Sequence, residues 1–313
     1  MPKKRNPDLI GGVFAALATP RRANTTEIDT SAFFDYQDAV SASGVNGLVL
    51  FGSTGEFVHF GVPERMQAVS LLIKRSRIPV LVNVSHSTFD GATALAEHAV
   101  DSGAQGVLIM PPYFYRYSEA QILSFYQRFA EFMAGRTRLF LYNLPFFTND
   151  IAFSTIESLL NSGLYAGIKD SSGDAGICER LASLHAATQF LWFAGNERLY
   201  LQARSSGADG MVSGVAAAIP ELIVALNRAI ASNSMEQAMH LNGLLAEFLA
   251  WIDKFPGTVG IKQAAVSRRW KLDHFSLPLD ERTAAEVTAF RSWLSDWLLG
   301  VLAECEKASV LKA

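Results

Sequence analysis

Short apolar runs recur along this chain. Each is followed by small or polar residues and then by a stripe of apolar positions at helical spacing. The runs are VFAALA from Val13, GLVLF from Gly47, PVLVNV from Pro79, GVLIM from Gly106, RLFLYN from Arg138, LYAGIK from Leu164, FLWFAG from Phe190 and DGMVSG from Asp209. They are near-continuous rather than alternating, which predicts parallel strands covered on both faces. Helices fill the intervals. Ser118 and Gln121 form a capping-box pattern ahead of Ile122, Phe125, Tyr126, Phe129 and Met133, and Ser154 with Glu157 repeats it before the sixth run. Pro220 and Glu221 suit a first helical turn.

Eight strands alternating with helices over roughly 220 residues predict an α/β fold, a (β/α)8 TIM barrel over residues 13–231. The alternative is a doubly wound open sheet, which would usually carry a Gly-rich phosphate turn after its first strand. Here the first strand ends in ATPRRANTTE, and no Walker-type loop occurs. The pattern then changes. Helices are expected over about 234–252, 260–270 and 281–303. They form a C-terminal helical region, residues 232–313, packed on the barrel or on a partner subunit. Residues 1–12 read as a tail.

Composition narrows the function. Half of the 313 residues are hydrophobic and 18% are charged, which is ample material for a large core. A net charge of -3 gives no basic excess to attract nucleic acid. No apolar run approaches a membrane span. Lys3, Lys4 and Arg5 precede no apolar segment, so they read as a solvated tail rather than a signal peptide. Cys178 and Cys305 lie far apart, with no His/Cys cluster; this fits a reducing cytoplasm and gives no support for a metal.

In such a barrel the active site lies at the carboxyl ends of the strands. Those ends carry Thr19, the turn Gly52-Ser53-Thr54-Gly55-Glu56, Ser85 and His86, then Tyr113, Phe114 and Tyr115. Tyr142, Lys169, Glu197 and Ser213 follow. One lysine, the Tyr142 phenol and two adjacent hydroxyls between glycines, with no carboxylate pair and no histidine set, suit carbonyl chemistry. Burial in an apolar barrel disfavours an ammonium ion and makes a free amine available as nucleophile. The amine can condense with a 2-oxo acid to an imine, an electron sink that permits deprotonation or carbon–carbon cleavage at the neighbouring carbon. A phenol can shuttle the proton, and the Gly-Ser-Thr-Gly turn offers N–H donors to a carboxylate. Taken singly, these residues have plainer readings: a snorkelling lysine, a core tyrosine, a loop histidine. A second triplet, Gly260-Ile261-Lys262, repeats Gly167-Ile168-Lys169. It opens a helix-like segment beyond the strands, so Lys262 is expected to be structural or surface-facing. Arg268, Arg269 and Lys271 are expected to form a solvated helix face.

Together these motifs resemble the dihydrodipicolinate synthase/N-acetylneuraminate lyase family of Schiff-base class I aldolases and dehydratases, over almost the whole chain. GSTGE at 52–56 is similar to the family's carboxylate-binding motif, YNLP at 142–145 to its catalytic tyrosine motif, and GIKDSSGD at 167–174 to its imine-forming lysine motif. Order and spacing agree. The resemblance implies a barrel with a C-terminal helical region, a homotetramer, pyruvate or a pyruvate-derived substrate, and no metal or organic cofactor. It implies that Lys169 forms the imine, Tyr142 acts as acid/base and Ser53 joins the proton relay. Gly52, Ser53 and Thr54 would hold the 2-oxo acid carboxylate. Val212 and Ser213 fall in the strand-eight segment that lines the same pocket.

The chain departs from the family pattern twice. Phe114 stands where many relatives have a tyrosine that reaches into the neighbouring subunit, with Tyr113 and Tyr115 flanking it. Phe146 and Phe147 follow YNLP, where synthases that make dihydrodipicolinate carry an arginine for the aldehyde's carboxylate. Phenylalanine cannot supply that bidentate contact, so Phe147 is expected to face a less charged second substrate. The expected function is a lysine-imine lyase, an aldolase or dehydratase, acting on pyruvate or a small hydroxylated 2-oxo acid. The alternatives are 4-hydroxy-tetrahydrodipicolinate synthase and a catalytically silent barrel that binds 2-oxo acids.

Overall fold

A computed structural model describes residues 11–310. The strands are β1 Gly12–Ala16, β2 Gly47–Leu50, β3 Val80–Asn83, β4 Gly106–Ile109, β5 Leu139–Asn143, β6 Gly167–Asp170, β7 Leu191–Ala194 and β8 Gly210–Ser213. Each pairs in parallel with its sequence neighbour, and β8 closes on β1. Helices α1 Thr30–Ala42, α2 Val62–Arg75, α3 Phe89–Asp101, α4 Glu119–Met133, α5 Phe153–Asn161, α6 Ala175–Ala187, α7 Tyr200–Ser205 and α8 Pro220–Ala231 alternate with them. The expected (β/α)8 barrel is therefore present. Lys3, Lys4 and Arg5 lie outside the described residues, and Gly12 already belongs to β1.

The register explains the interior. Phe14, Phe140 and Phe193 meet edge to face from β1, β5 and β7, which they can do only inside the barrel. Leu81 of β3 completes their layer, and Gly106 lies against both Leu81 and Phe140. Each of these four pairs on its carboxyl-end side with a residue of an even strand: Val49, Leu108, Lys169 and Val212. The next layer is Ala16, Asn83 and Tyr142, paired to Val49, Leu108 and Lys169. Lys169 thus occupies a layer shared with three aliphatic side chains, near the carboxyl end where barrel chemistry is done.

Beyond the barrel run α9 Met235–Ile252, α10 Val259–Ser267 and α11 Glu281–Val310. Some local expectations need correction. The capping box of Ser118 and Gln121 forms. That of Ser154 and Glu157 does not: Ala152 takes the cap position of α5, and the Ser154 hydroxyl donates to Glu119 in α4. Arg268 is not a solvated cation. Its guanidinium donates twice to Glu221, at 2.6 Å each, and once to the Ala218 carbonyl, tying the end of α10 to α8. Among the described residues no helix is long and apolar enough to cross a membrane.

Candidate active site

Lys169 projects from β6 into the barrel and is only 4% exposed. Its Nζ lies 4.0 Å from the centroid of the Tyr142 ring on the adjacent strand β5. No carboxylate forms an ion pair with it among the described residues. Room for this side chain depends on Gly195, the residue after β7. A Cβ there would stand 2.8 Å from Lys169 Cε and 2.1 Å from Ser171 Oγ.

Tyr142 is buried, and its hydroxyl lies 3.1 Å from Ser53 Oγ. Ser53 belongs to the turn after β2. Phe51 and Glu56 bracket that turn with φ of 55° and 53°, the left-handed region that costs non-glycine residues about 1–3 kcal/mol. Several contacts hold it. Thr19 Oγ1 donates to the Gly55 carbonyl at 2.7 Å, and Asn83 Nδ2 donates to the Phe51 carbonyl at 2.7 Å. The Glu56 carboxylate is gripped by Lys262 of α10 and accepts from Ser276 Oγ at 3.3 Å. Among the described residues the N–H groups of Ser53 and Thr54 donate to no protein acceptor. Two clamped, unspent donors beside a lysine and a phenol can donate to an anionic group.

The other expected residues fall as follows. Gly52 is buried within the same turn. Thr54 packs against the end of β8, where a Cβ on Gly214 would lie 2.9 Å from its Oγ1. Val212 pairs with Phe14 and shares its inward face, whereas Ser213 pairs with Ala15 on the opposite face. The Ser213 hydroxyl donates to Glu197 Oε1 at 2.8 Å and accepts from the Ala216 N–H at 3.0 Å, so its polar capacity is engaged behind the site. His86 is a loop residue, hydrogen-bonded to Thr88; burial and Arg65 lower its pKa. Of the three aromatics after β4, Tyr113 turns inward to meet Phe57 edge on at 5.9 Å. Phe114 and Tyr115 are exposed, and Phe114 has φ of 84°.

Lys262 corrects the surface-facing option. It is fully buried, with Glu56 and the His274 carbonyl as partners. Desolvation lowers its pKa against the opposing pull of Glu56. A cavity of about 470 Å³ opens above Ser53, lined on the barrel side by Phe57, Met110, Tyr113, Leu144, Phe147 and Thr148. Its far wall comes from Pro256–Val259 and Phe275–Asp280 of the C-terminal region. Sequence reasoning missed that wall. Its only signal was apolar residues in Pro-rich loop segments, FPGTV and FSLPLD.

Residues 9–296 match the dihydrodipicolinate synthetase family. The chain belongs to this family. The fold and the enzyme class expected from the motifs, a Schiff-base lyase, stand with it. A 4-hydroxy-tetrahydrodipicolinate synthase of Salinibacter ruber is 32% identical over 287 residues, covering 88% of this chain and 92% of the relative. A DapA-like lyase of Halobacterium salinarum is 29% identical over 294 residues, covering 91% and 95%. Among solved structures, YagE, a prophage protein of Escherichia coli K12 in complex with pyruvate, superposes with a TM-score of 0.85 at 24% identity, covering 93% of this chain and 99% of that one.

Proposed function

We propose that this enzyme forms an imine between Lys169 and pyruvate or a small hydroxylated 2-oxo acid, and makes or breaks a bond at the neighbouring carbon. The observation that carries this is the row Lys169, Tyr142 and Ser53 beside two unspent N–H donors. The carboxylate accepts from Ser53 and Thr54, which sets the 2-carbonyl toward Lys169. The amine adds to that carbonyl carbon, and Tyr142 moves the proton that lets water leave. Ser53 holds the phenol and passes the proton on. Val212 walls the pocket from β8, and Phe147 stands at the mouth, toward the second substrate. The pyruvate bound to the YagE structure supports this substrate class. No metal or organic cofactor enters the scheme. The same proposal includes a homotetramer in a reducing cytoplasm, which sedimentation analysis checks for assembly.

Borohydride reduction with pyruvate tests the scheme. A covalent adduct mapping to Lys169 is expected. Lys169→Ala should remove the adduct and lower turnover by at least about 10³-fold while leaving the fold intact. No adduct, or one at Lys262, refutes the proposal.

A further inference from the structure

We propose that the cavity above Ser53 admits, as second substrate, an uncharged aldehyde bearing an aromatic or bulky aliphatic group. This rests on the lysine-imine chemistry proposed above and names the partner that chemistry would take. The cavity, about 470 Å³, is of the size that holds a small ligand. Leu144, Phe147, Val259, Phe275, Leu277 and Leu279 contribute apolar surface from both walls.

Several of the polar groups that line it are already committed. Thr148 Oγ1 donates to backbone carbonyls at 3.0 Å, and Ser276 Oγ donates to Glu56. Asp280 caps α11 by accepting from the Thr283 N–H at 2.7 Å. A sugar-like chain would lose hydration here and regain only part of it. Charge argues the same way. Glu56 and Asp280 line the cavity; among the described residues no lysine or arginine does, and His59 is the one basic side chain there. Lys262, the nearby buried cation, is spent on Glu56 and the His274 carbonyl. An anionic aldehyde would meet carboxylates without a counter-ion. An apolar group would replace water on matching surface.

The reaction balances without a co-reactant. The pyruvate imine loses a proton from C3 to give the enamine. C3 then bonds to the aldehyde carbon, and the carbonyl π-pair moves to oxygen, which takes up a proton. Water hydrolyses the imine, releasing a 4-hydroxy-2-oxo acid and restoring the amine. In the reverse direction the same steps cleave that acid to pyruvate and aldehyde.

The test supplies pyruvate with benzaldehyde, glyceraldehyde or succinic semialdehyde and measures product formation, with borohydride trapping run in parallel. We expect kcat/KM for benzaldehyde at least about 10-fold above the other two. Phe147→Arg should shift the ratio toward succinic semialdehyde. Leu277→Ala, at a 70% exposed position where folding is not at stake, should narrow the benzaldehyde preference. A trapped imine at Lys169 with equal or greater activity toward succinic semialdehyde or glyceraldehyde overturns the aldehyde assignment alone. So does a selectivity ratio unchanged in both variants. Absence of the imine overturns the underlying chemistry and the assignment with it.

Discussion

Lys169 and Lys262 close identical Gly-Ile-Lys triplets, one on β6 and one in α10, and both are buried. Their surroundings receive a buried amine in opposite ways. Lys262 has a carboxylate, Glu56, and a carbonyl, His274, within reach. Lys169 has the face of a tyrosine ring and three aliphatic layer-mates. A lysine whose Nζ is bonded to a carboxylate and a carbonyl serves as a tether. One without a counter-charge is suited to adding to a carbonyl. The two are also linked: Lys262 anchors Glu56, the last residue of the turn that carries Ser53, and Ser53 touches Tyr142. Lys262 thus helps to hold the turn whose serine meets Tyr142, the neighbour of Lys169.

The largest effect should follow from removing the counter-charge. Glu56→Gln leaves Lys262 buried without its partner, and breaking such a pair from one side costs about 3–5 kcal/mol. Lys262→Met should cost less. Methionine fills the apolar part of the space, and Glu56, with 10% of its side chain exposed, is closer to water. Urea denaturation of the two variants gives the comparison, and equal losses would mean that the pair is not what stabilises α10 against the turn. A smaller, catalytic effect is expected at Gly195. Alanine there crowds Ser171 Oγ, Lys169 Cε and the Asp170 carbonyl, and displacement of a reacting group by about 1 Å costs on the order of 10²-fold. Single-turnover trapping with pyruvate should slow accordingly in Gly195→Ala. An unchanged rate would show that the lysine has slack.

Why the sequence exposed one lysine and hid the other is a matter of range. Strands of a parallel barrel are near-continuous apolar runs, so all eight were legible, and strand ends follow from strand positions. Lys169, Tyr142 and Ser53 lie on or just after β6, β5 and β2, as the strand pattern predicts, and their convergence follows from barrel closure. Lys262 could not be read in this way, because its partner lies 206 positions away and nothing local marks a helix start as buried. The same holds for Arg268, whose Glu221 lies 47 positions earlier. The Ser154 cap failed for a related reason: a glutamate from α4 competes for the hydroxyl, and local pattern cannot see it. The apolar wall over the cavity was invisible because loop residues such as Phe275 and Leu279 carry no periodicity.

Asp170 offers the smallest and sharpest test. It follows Lys169 directly and is the nearest carboxylate in the chain, yet alternation along β6 turns it to the opposite face. There it accepts from Asn143 Nδ2 at 2.8 Å and from Ser172 Oγ at 2.8 Å. Burial raises its pKa above the ordinary 3.8, against the opposing pull of those hydrogen bonds. A carboxyl raised in the folded state favours that state below its unfolded pKa and loses the contribution as pH rises through the folded value. Asparagine cannot ionise and can keep both hydrogen bonds, since Ser172 Oγ can accept as well as donate. Relative to the native protein, Asp170→Asn should therefore gain stability as pH rises above the ordinary carboxyl value of 3.8. Denaturation of both proteins across that range measures the gap. A gap that shrinks with rising pH would mean that the hydrogen bonds outweigh burial. Activity tests the contrast between the lysines at the same time. If Asp170 were the missing counter-charge of Lys169, its loss would alter imine formation; facing away, it should leave the rate of borohydride trapping within about 2-fold of the native value.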